Sequence, residues 1–294
     1  MEEKPGRIQR ILLVINLHKK HTLSLSKVIE EGLLKKGLDV VSFAFDGKQD
    51  TAIEGPFDLA ISLGGDGTVL YTARLVAGWG VPIMAINLGN LGFIAEVHPE
   101  EWLKTYISWE EGKVEISERL MLEFSVERGG NEIFAAVCMN EVVISASGIA
   151  KIIRLKVEGE CIQLGQYRSD GLIVATPTGS TAYSVAAGGP ILDPEMEAVI
   201  INPICPFTLS NRPLVVPIYE PIVVRIEEEQ RSKIVLTVDG QLVENLEPGD
   251  IVRLHKAPYK ARLIATNRKN FYDVLCSKLN WPGAGFGGPG FSGP

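Results

Sequence analysis

Cysteine is scarce and unpaired in this sequence: Cys138, Cys161, Cys205 and Cys276 are scattered, with no C-x-x-C anywhere. That spacing excludes the usual metal cluster or disulfide framework and leaves reduced, buried thiols as the expectation. Long apolar runs are missing too. Nothing approaches the ~18 residues of a membrane helix, and the stretch 11–15, behind the charged residues 1–10, is far shorter than a signal-peptide core. A cytoplasmic protein with no membrane partner is expected. Positive charge is in deficit, with 29 Lys and Arg against 36 Asp and Glu and a net charge of −7. That balance argues against a nucleic-acid partner, while a few local cations and backbone N–H groups can still hold an anionic small ligand. None of the four histidines (His18, His21, His98, His255) lies in a loop with a nucleophile, and no G-x-S-x-G occurs, so a serine hydrolase is excluded. A Walker A loop, G-x-x-x-x-G-K-[ST], is also absent.

What is present is ordinary globular composition, 46% hydrophobic and 22% charged over 294 residues, enough for one large domain or two. The first third alternates strand and helix. Residues 10–16 form a continuous β-branched run of the kind buried parallel strands use. Residues 21–36 carry helical spacing (Leu25, Val28, Ile29, Leu33) and stop at Gly37. Residues 39–45, 57–63 and 81–86 read as further strands, and 68–77 as a helix. The rhythm predicts an open, Rossmann-like α/β sheet. From about Glu118 the texture changes to strands at 122–127, 132–145, 152–158, 171–175, 222–226, 234–239 and 251–254. Hairpin signals such as Arg128-Gly129-Gly130-Asn131 and Glu158-Gly159-Glu160 join them, which predicts an all-β, sandwich-like second domain. Residues 271–279 read as a closing helix and 282–294 as a Gly/Pro-rich disordered tail.

The chemistry centres on Gly64-Gly65-Asp66-Gly67-Thr68, between a buried strand and a helix. Ligands on open α/β sheets sit at the carboxyl ends of strands. Glycines there let backbone N–H groups approach phosphate, and the helix adds its positive end. A carboxylate inside such a loop needs a hydroxyl proton or a metal ion to offset its charge. Asp-Gly alone is a turn dipeptide, but its place between strand and helix makes Asp66 the candidate reactive group and Gly64, Gly65, Gly67 and Thr68 a phosphate loop.

Four further segments are unusually rich for loops: Asn87-Leu88-Gly89-Asn90-Leu91-Gly92-Phe93; Asn140-Glu141; Arg168-Ser169-Asp170-Gly171 with Thr176-Pro177-Thr178-Gly179-Ser180-Thr181-Ala182-Tyr183; and Pro203 to Pro213 with Asp239-Gly240-Gln241. Asn140-Glu141 interrupts an apolar run. It is either a strand end facing water or a buried pair in need of partners, for which a ribose diol is suited.

Together these segments resemble the NAD kinases, in the family's motif order from about Ile11 to Leu275. Gly-Gly-Asp-Gly-Thr alone is shared with lipid kinases and, more loosely, phosphofructokinases. The later loops, joined to Asn140-Glu141, are far more specific. The resemblance implies an α/β domain (1–117), a β-rich NAD-binding domain (118–268) and a last helix (269–281) returning to the first. It also implies a homo-oligomer, dimer or tetramer, with NAD in the cleft. The implied reaction moves the terminal phosphoryl of ATP, with Mg²⁺, to the adenosine ribose 2′-hydroxyl of NAD; polyphosphate is an alternative donor. Asp66 matches the proton acceptor, with Gly67 beside it. Asn140 and Glu141 match the ribose pair, and Arg168 and Asp170 match residues near the nicotinamide half. Thr181, Ala182, Tyr183, Ser184, Val185 and Ala186 match the loop around adenine, and Lys151 and Gln241 match further ligand contacts. Phe207 stands where the family pattern has His, and Val185-Ala186 where Leu-Ser is usual, which removes polar contacts at those places. Two roles stay open for Asp66: proton acceptor, or organiser of Mg²⁺. The competing activities are a lipid or sugar kinase, or a silent NAD(P)-binding sensor that would have little use for Asp66.

Overall fold

The computed structural model describes residues 8–19, 21–45, 53–89, 92–148, 151–208, 210–264 and 268–279. In chain order the elements are β1 (Arg10–Asn16), α1 (Thr22–Leu34), β2 (Asp39–Phe45), β3 (Leu59–Gly64), α2 (Asp66–Val76), β4 (Pro82–Asn87), α3 (Trp102–Glu110) and β5 (Ile116–Arg119). There follow β6 (Leu122–Arg128), β7 (Asn131–Cys138), β8 (Glu141–Ala146), β9 (Ile153–Glu158), β10 (Gln163–Ser169), β11 (Gly171–Ala175), the short α4 (Tyr183–Ala186), β12 (Ala198–Ile204), β13 (Leu214–Pro217), β14 (Ile222–Ile226), β15 (Ile234–Val238), β16 (Leu242–Leu246), β17 (Ile251–Lys256), β18 (Ala261–Ile264) and α5 (Arg268–Leu279).

The first sheet has the order β2-β1-β3-β4-β18-β5, parallel except for β5. Its strands read as unbroken apolar runs because both faces are covered. Ile11, Leu13 and Ile15 pack with Ile29 and Leu33 of α1 and Trp102 and Tyr106 of α3. Leu12 and Val14, on the opposite face, pack with Val69, Leu70 and Ala73 of α2. The strand β18 comes from far along the chain and completes this sheet beside β4.

Two antiparallel sheets, β10-β9-β14-β17-β6-β7 and β13-β12-β11-β8-β15-β16, close over one core that includes Phe124, Leu155, Leu172, Ile201 and Leu254. Strand β9 alternates buried and half-buried residues, as a one-sided sheet requires. Strand β11 is buried throughout, because Ile173 and Ala175 meet a second cluster with Leu192 and Ile200 on the outer face.

Several features differ from expectation. The apolar run 132–145 is two strands, broken at Met139 and Asn140, where the chain leaves one sheet for the other. The second helix begins at Asp66 rather than Thr68. The elements α3, β5, β10, β12, β13, β16 and β18 are additional; β10 and β13 are edge strands with weak apolar pattern. Of the thiols only Cys138 is buried. Cys276 is half-buried, Cys161 and Cys205 are exposed in turns, and Cys205 adopts a left-handed φ of 46°. The tail 282–294, together with Asn90 and Leu91, lies outside the described residues.

Candidate active site

Asp66 stands at the first turn of α2, directly beyond the carboxyl end of β3. Its carboxylate is held from the side by the chain after β4. The Phe93 amide donates to Oδ2 (2.9 Å), and those of Ile94 (3.3 Å) and Ala95 (3.1 Å) donate to Oδ1. A carboxylate offers about four lone-pair directions, so among the described residues three are filled and one on Oδ2 is left. The chain can come this close only because residue 92 has no side chain. A Cβ on Gly92 would lie 1.9 Å from Asp66 Oδ1. Gly92→Ala is therefore expected to displace the cradle and cost roughly 1–3 kcal/mol, an overpacking penalty read as a lowered midpoint in thermal melting; an unchanged midpoint would contradict this packing.

The rest of the loop is fixed from both flanks. The Gly64 carbonyl accepts from Leu88 N (2.7 Å), and the buried Thr68 hydroxyl accepts from Asn16 Nδ2 (2.9 Å) at the end of β1. Gly65 caps the helix without a side-chain hydrogen bond. Gly67 is exposed, and its carbonyl accepts from Gln241 Nε2 (2.6 Å).

Asn140 and Glu141 occupy the break between β7 and β8. Both are buried, at 8% and 5% exposure, which removes the reading of a strand end facing water. The break exists because Asp239, at the turn between β15 and β16, substitutes for ladder partners. Its carboxylate accepts the backbone N–H of Met139 (3.2 Å), Asn140 (2.8 Å) and Glu141 (3.1 Å). Its own charge is met by Arg74 of α2, whose Nη1 donates to Oδ2 at 3.0 Å; the two side chains are 8% and 0% exposed. A second Arg74 nitrogen donates to Gln241 Oε1. Burial pushes the Asp239 carboxyl up, and Arg74 and the three amides oppose it. For Glu141, burial first and the Asp239 charge second raise the carboxyl to about 8, with the Tyr183 amide working the other way. Among the described residues, Asn140 Oδ1 and Glu141 Oε2 are buried oxygens with no hydrogen-bond partner.

The loop 176–187 lies against this pair. Thr176 N donates to the Asn140 carbonyl (2.8 Å), and Thr176 Oγ1 donates to that of Met139 (2.5 Å). Thr181 turns back onto the Thr178 carbonyl (3.2 Å), and Ala182 links this turn to α4. Within α4, Tyr183 is half exposed, Ser184 is buried against Asn202 (Nδ2 to the Ser184 carbonyl, 2.9 Å), Val185 is half-buried and Ala186 is exposed.

Lys151, Arg168 and Asp170 belong to another place. Glu141 pairs with Ala175, while Ser145 pairs with Gly171, so Asp170 and Arg168 sit at the far end of β8 and β11, roughly 14 Å or more along the strands. Lys151 is exposed and follows β8 at that same end. The Arg168 guanidinium lies 5.0 Å from the Phe207 ring centroid, and Phe207 N donates to the Arg168 carbonyl (2.8 Å). The position lacking the usual His thus makes a cation–π contact.

Residues 46–113 match the ATP-NAD kinase N-terminal domain and residues 139–266 the ATP-NAD kinase C-terminal domain. The NAD kinase of Treponema denticola is 41% identical over 278 residues, covering 94% of this chain and 98% of that protein. The chain belongs to the NAD kinase family. The NAD kinase of Syntrophotalea carbinolica is 43% identical over 257 residues, covering 86% and 88% of the two chains. Among solved structures, an NAD kinase from Archaeoglobus fulgidus in complex with ATP superposes with a TM-score of 0.73 at 26% identity, covering 92% of this chain and 99% of that one. Yeast NADH kinase complexed with NADH gives a TM-score of 0.80 at 22% identity, over 96% and 90%, a likeness of fold. As a NAD kinase the chain is a phosphotransferase with an alcohol acceptor and phosphorylates NAD.

In this NAD kinase, the sequence does not single out Arg74 or Asn16, and it marks Asp239 and Gly92 only as members of loop-like segments, without a role for either. Asp-Gly between two apolar runs was legible as a turn, but nothing local showed that its carboxylate turns inward. Arg74, eight residues after Asp66 on one helix, was the available signal.

Proposed function

We propose that the adenosine ribose of NAD binds between Asn140 and Glu141, with its 2′-hydroxyl directed at Asp66, and that ATP places its phosphates on the Gly64–Thr68 loop. Two buried oxygens of successive residues without partners among the described residues, Asn140 Oδ1 and Glu141 Oε2, carry this assignment. Buried acceptors are left unpaired at a cost of about 1–3 kcal/mol each, and the hydroxyls of a ribose diol donate to both. Asp66 acts as proton acceptor and orienter of the hydroxyl, because a single lone-pair direction is left on its carboxylate. A loose phosphoryl-transfer transition state asks for only late proton acceptance, which suits a group already held by three N–H donors.

Mg²⁺ enters with ATP as part of the donor substrate. Among the described residues no group of three or more His, Cys, Asp or Glu is arranged to hold a metal ion, and Mg²⁺ typically keeps waters and phosphate oxygens with one or two carboxylates. Bound with ATP, it would neutralise phosphate charge. The donor is ATP in this reading, with polyphosphate as the second candidate. Thr181, Ala182, Tyr183, Ser184, Val185 and Ala186 border the adenine. Arg168, Asp170 and Lys151, at the far end of β8, suit the other half of an extended dinucleotide.

We also infer a cytoplasmic homo-oligomer, a dimer or tetramer. Among the described residues no helix is long and apolar enough to cross a membrane. Tyr219, Phe207 and Ile162 expose 85%, 65% and 55% of their surface around the edge strands β10 and β13, an apolar surface of the kind that associates.

The ribose assignment has a direct test. With its carboxyl near 8, Glu141 is mostly protonated at pH 7 in the free protein. Hydroxyls donating to Oε2 favour the carboxylate, so binding lowers that value and releases a proton. Calorimetric titration with NAD at pH 7, in two buffers of different ionisation heat, is expected to show release approaching one proton per site. Glu141→Gln is expected to show none. Proton uptake, or equal release by the variant, would refute the assignment.

A further inference from the structure

We propose that Asn202 is a positioning residue that fixes the register of α4 on the sheet behind it, and so sets the wall around the adenine half of NAD. The inference rests on the reading above that residues 181–186 border the adenine.

The outer face of β11 and β12 is apolar. Ile173, Ala175 and Ile200 meet Leu192 there, with Ala187 packed against them. Asn202 pairs with Ile173 across the ladder and follows Ile200 by two residues, so it stands on this same face. A buried polar side chain in apolar surroundings costs free energy unless it is hydrogen-bonded. Asn202 directs its amide at one residue: Nδ2 donates to the Ser184 carbonyl (2.9 Å) and reaches the Ser184 hydroxyl (3.3 Å). Both residues are buried.

That contact supplies what the turn lacks. α4 is four residues long, and a single helical turn is unstable by itself because nucleation is unfavourable. Apolar packing of Ala187 and Leu192 holds the segment down, but such packing is non-directional and leaves it free to slide. The Asn202 amide is directional and admits one register. The chain closes around the same carbonyl, since Ala187 N (3.1 Å) and Gly189 N (2.8 Å) also donate to Ser184 O. Space at this clasp is full: a Cβ on Gly189 would lie 2.3 Å from Ser184 Oγ and 2.7 Å from Asn202 Nδ2. Upstream, Thr176 N ties the segment to the Asn140 carbonyl, so Asn202 holds the downstream end of the wall. Asp66 and the Gly64–Thr68 loop belong to the other domain. The signature of the clasp is therefore weaker NAD binding with kcat and KM for ATP retained.

Steady-state kinetics with each substrate varied, calorimetric NAD binding and melting curves of Asn202→Leu test this. Leucine suits the apolar face, and the Ser184 carbonyl keeps its two backbone donors, so the melting midpoint is expected within about 5 °C of the parent. KM and Kd for NAD are expected to rise about tenfold, with kcat and KM for ATP within about threefold, the pattern of lost uniform binding. A folded Asn202→Leu enzyme with Kd for NAD within about threefold of the parent would overturn the proposal. So would an equal rise in KM for both substrates. Should Asn202→Leu fail to fold, Gly189→Ala decides. It crowds Ser184 and Asn202 from outside and is expected to raise KM for NAD in the same way; a parental value would overturn the proposal. Ala186→Trp separates this inference from the reading beneath it. If residues 181–186 do not border the adenine, Ala186→Trp keeps full NAD affinity. If only the clasp is wrong, Ala186→Trp loses NAD affinity while Asn202→Leu keeps it.

Discussion

Asp66→Asn is expected to give a folded protein that still binds NAD and turns over roughly 10²–10⁴-fold more slowly, the range of a lost general base. The structure adds a reason beyond basicity. An amide at residue 66 can offer its oxygen to the Ile94 and Ala95 amides, but its NH₂ then opposes the Phe93 N–H, which now meets Oδ2 at 2.9 Å. The variant loses a hydrogen bond in the cradle as well as the proposed acceptor for the 2′-hydroxyl proton. A small drop in melting temperature is expected with the loss of turnover, and calorimetric NAD binding separates the two effects. Formation of NADP from NAD and ATP is the measurement. Near-parental turnover would remove Asp66 from the reaction. A loss rescued by excess Mg²⁺ would make it an organiser of the metal instead.

The second large effect is expected at a residue with no functional group. A Cβ on Gly179 would lie 2.2 Å from the backbone oxygen of Asn140 and 2.6 Å from its carbonyl carbon. Backbone cannot swing aside as the end of a side chain can, and Asn140 is fastened by Asp239 on one side and Thr176 on the other. Gly179→Ala must therefore push either the 176–187 loop or the Asn140–Glu141 pair out of place. An expected loss of about 10²-fold in kcat/KM for NAD follows from a displacement near 1 Å, with KM for ATP little changed because the Gly64–Thr68 loop lies on the other domain. Steady-state kinetics with each substrate varied check this. An alanine enzyme with kcat/KM for NAD within about threefold of the parent would show that Asn140 is not held where the geometry places it.

These two positions mark how much was legible. Asp66 was readable as a candidate because its setting is local: a carboxylate between glycines, after a buried strand and before a helix. The two-part architecture was readable for the same reason. Unbroken β-branched runs separated by helical spacing gave the parallel sheet, and turn dipeptides between shorter strands gave the antiparallel ones. Strand β18 was not readable as part of the first sheet, because four apolar-patterned residues carry no label for the sheet they will join. The split of 132–145 into β7 and β8 was equally hidden. Its cause is a carboxylate 98–100 residues away that takes the three backbone N–H groups at the break.

The sequence by itself determined the candidate site residues, Asp66 and the Asn140–Glu141 pair, and the order of motifs that places the chain among the NAD kinases. Only the tertiary structure decided how these are set against each other. Asp66 is aimed by backbone amides from beyond β4, and Asn140 and Glu141 are aimed by Asp239, itself held by Arg74 of the helix that Asp66 begins. Hydrogen-bond partners supplied by backbone carry no side-chain signature, and an ion pair spanning 165 residues has no spacing to read.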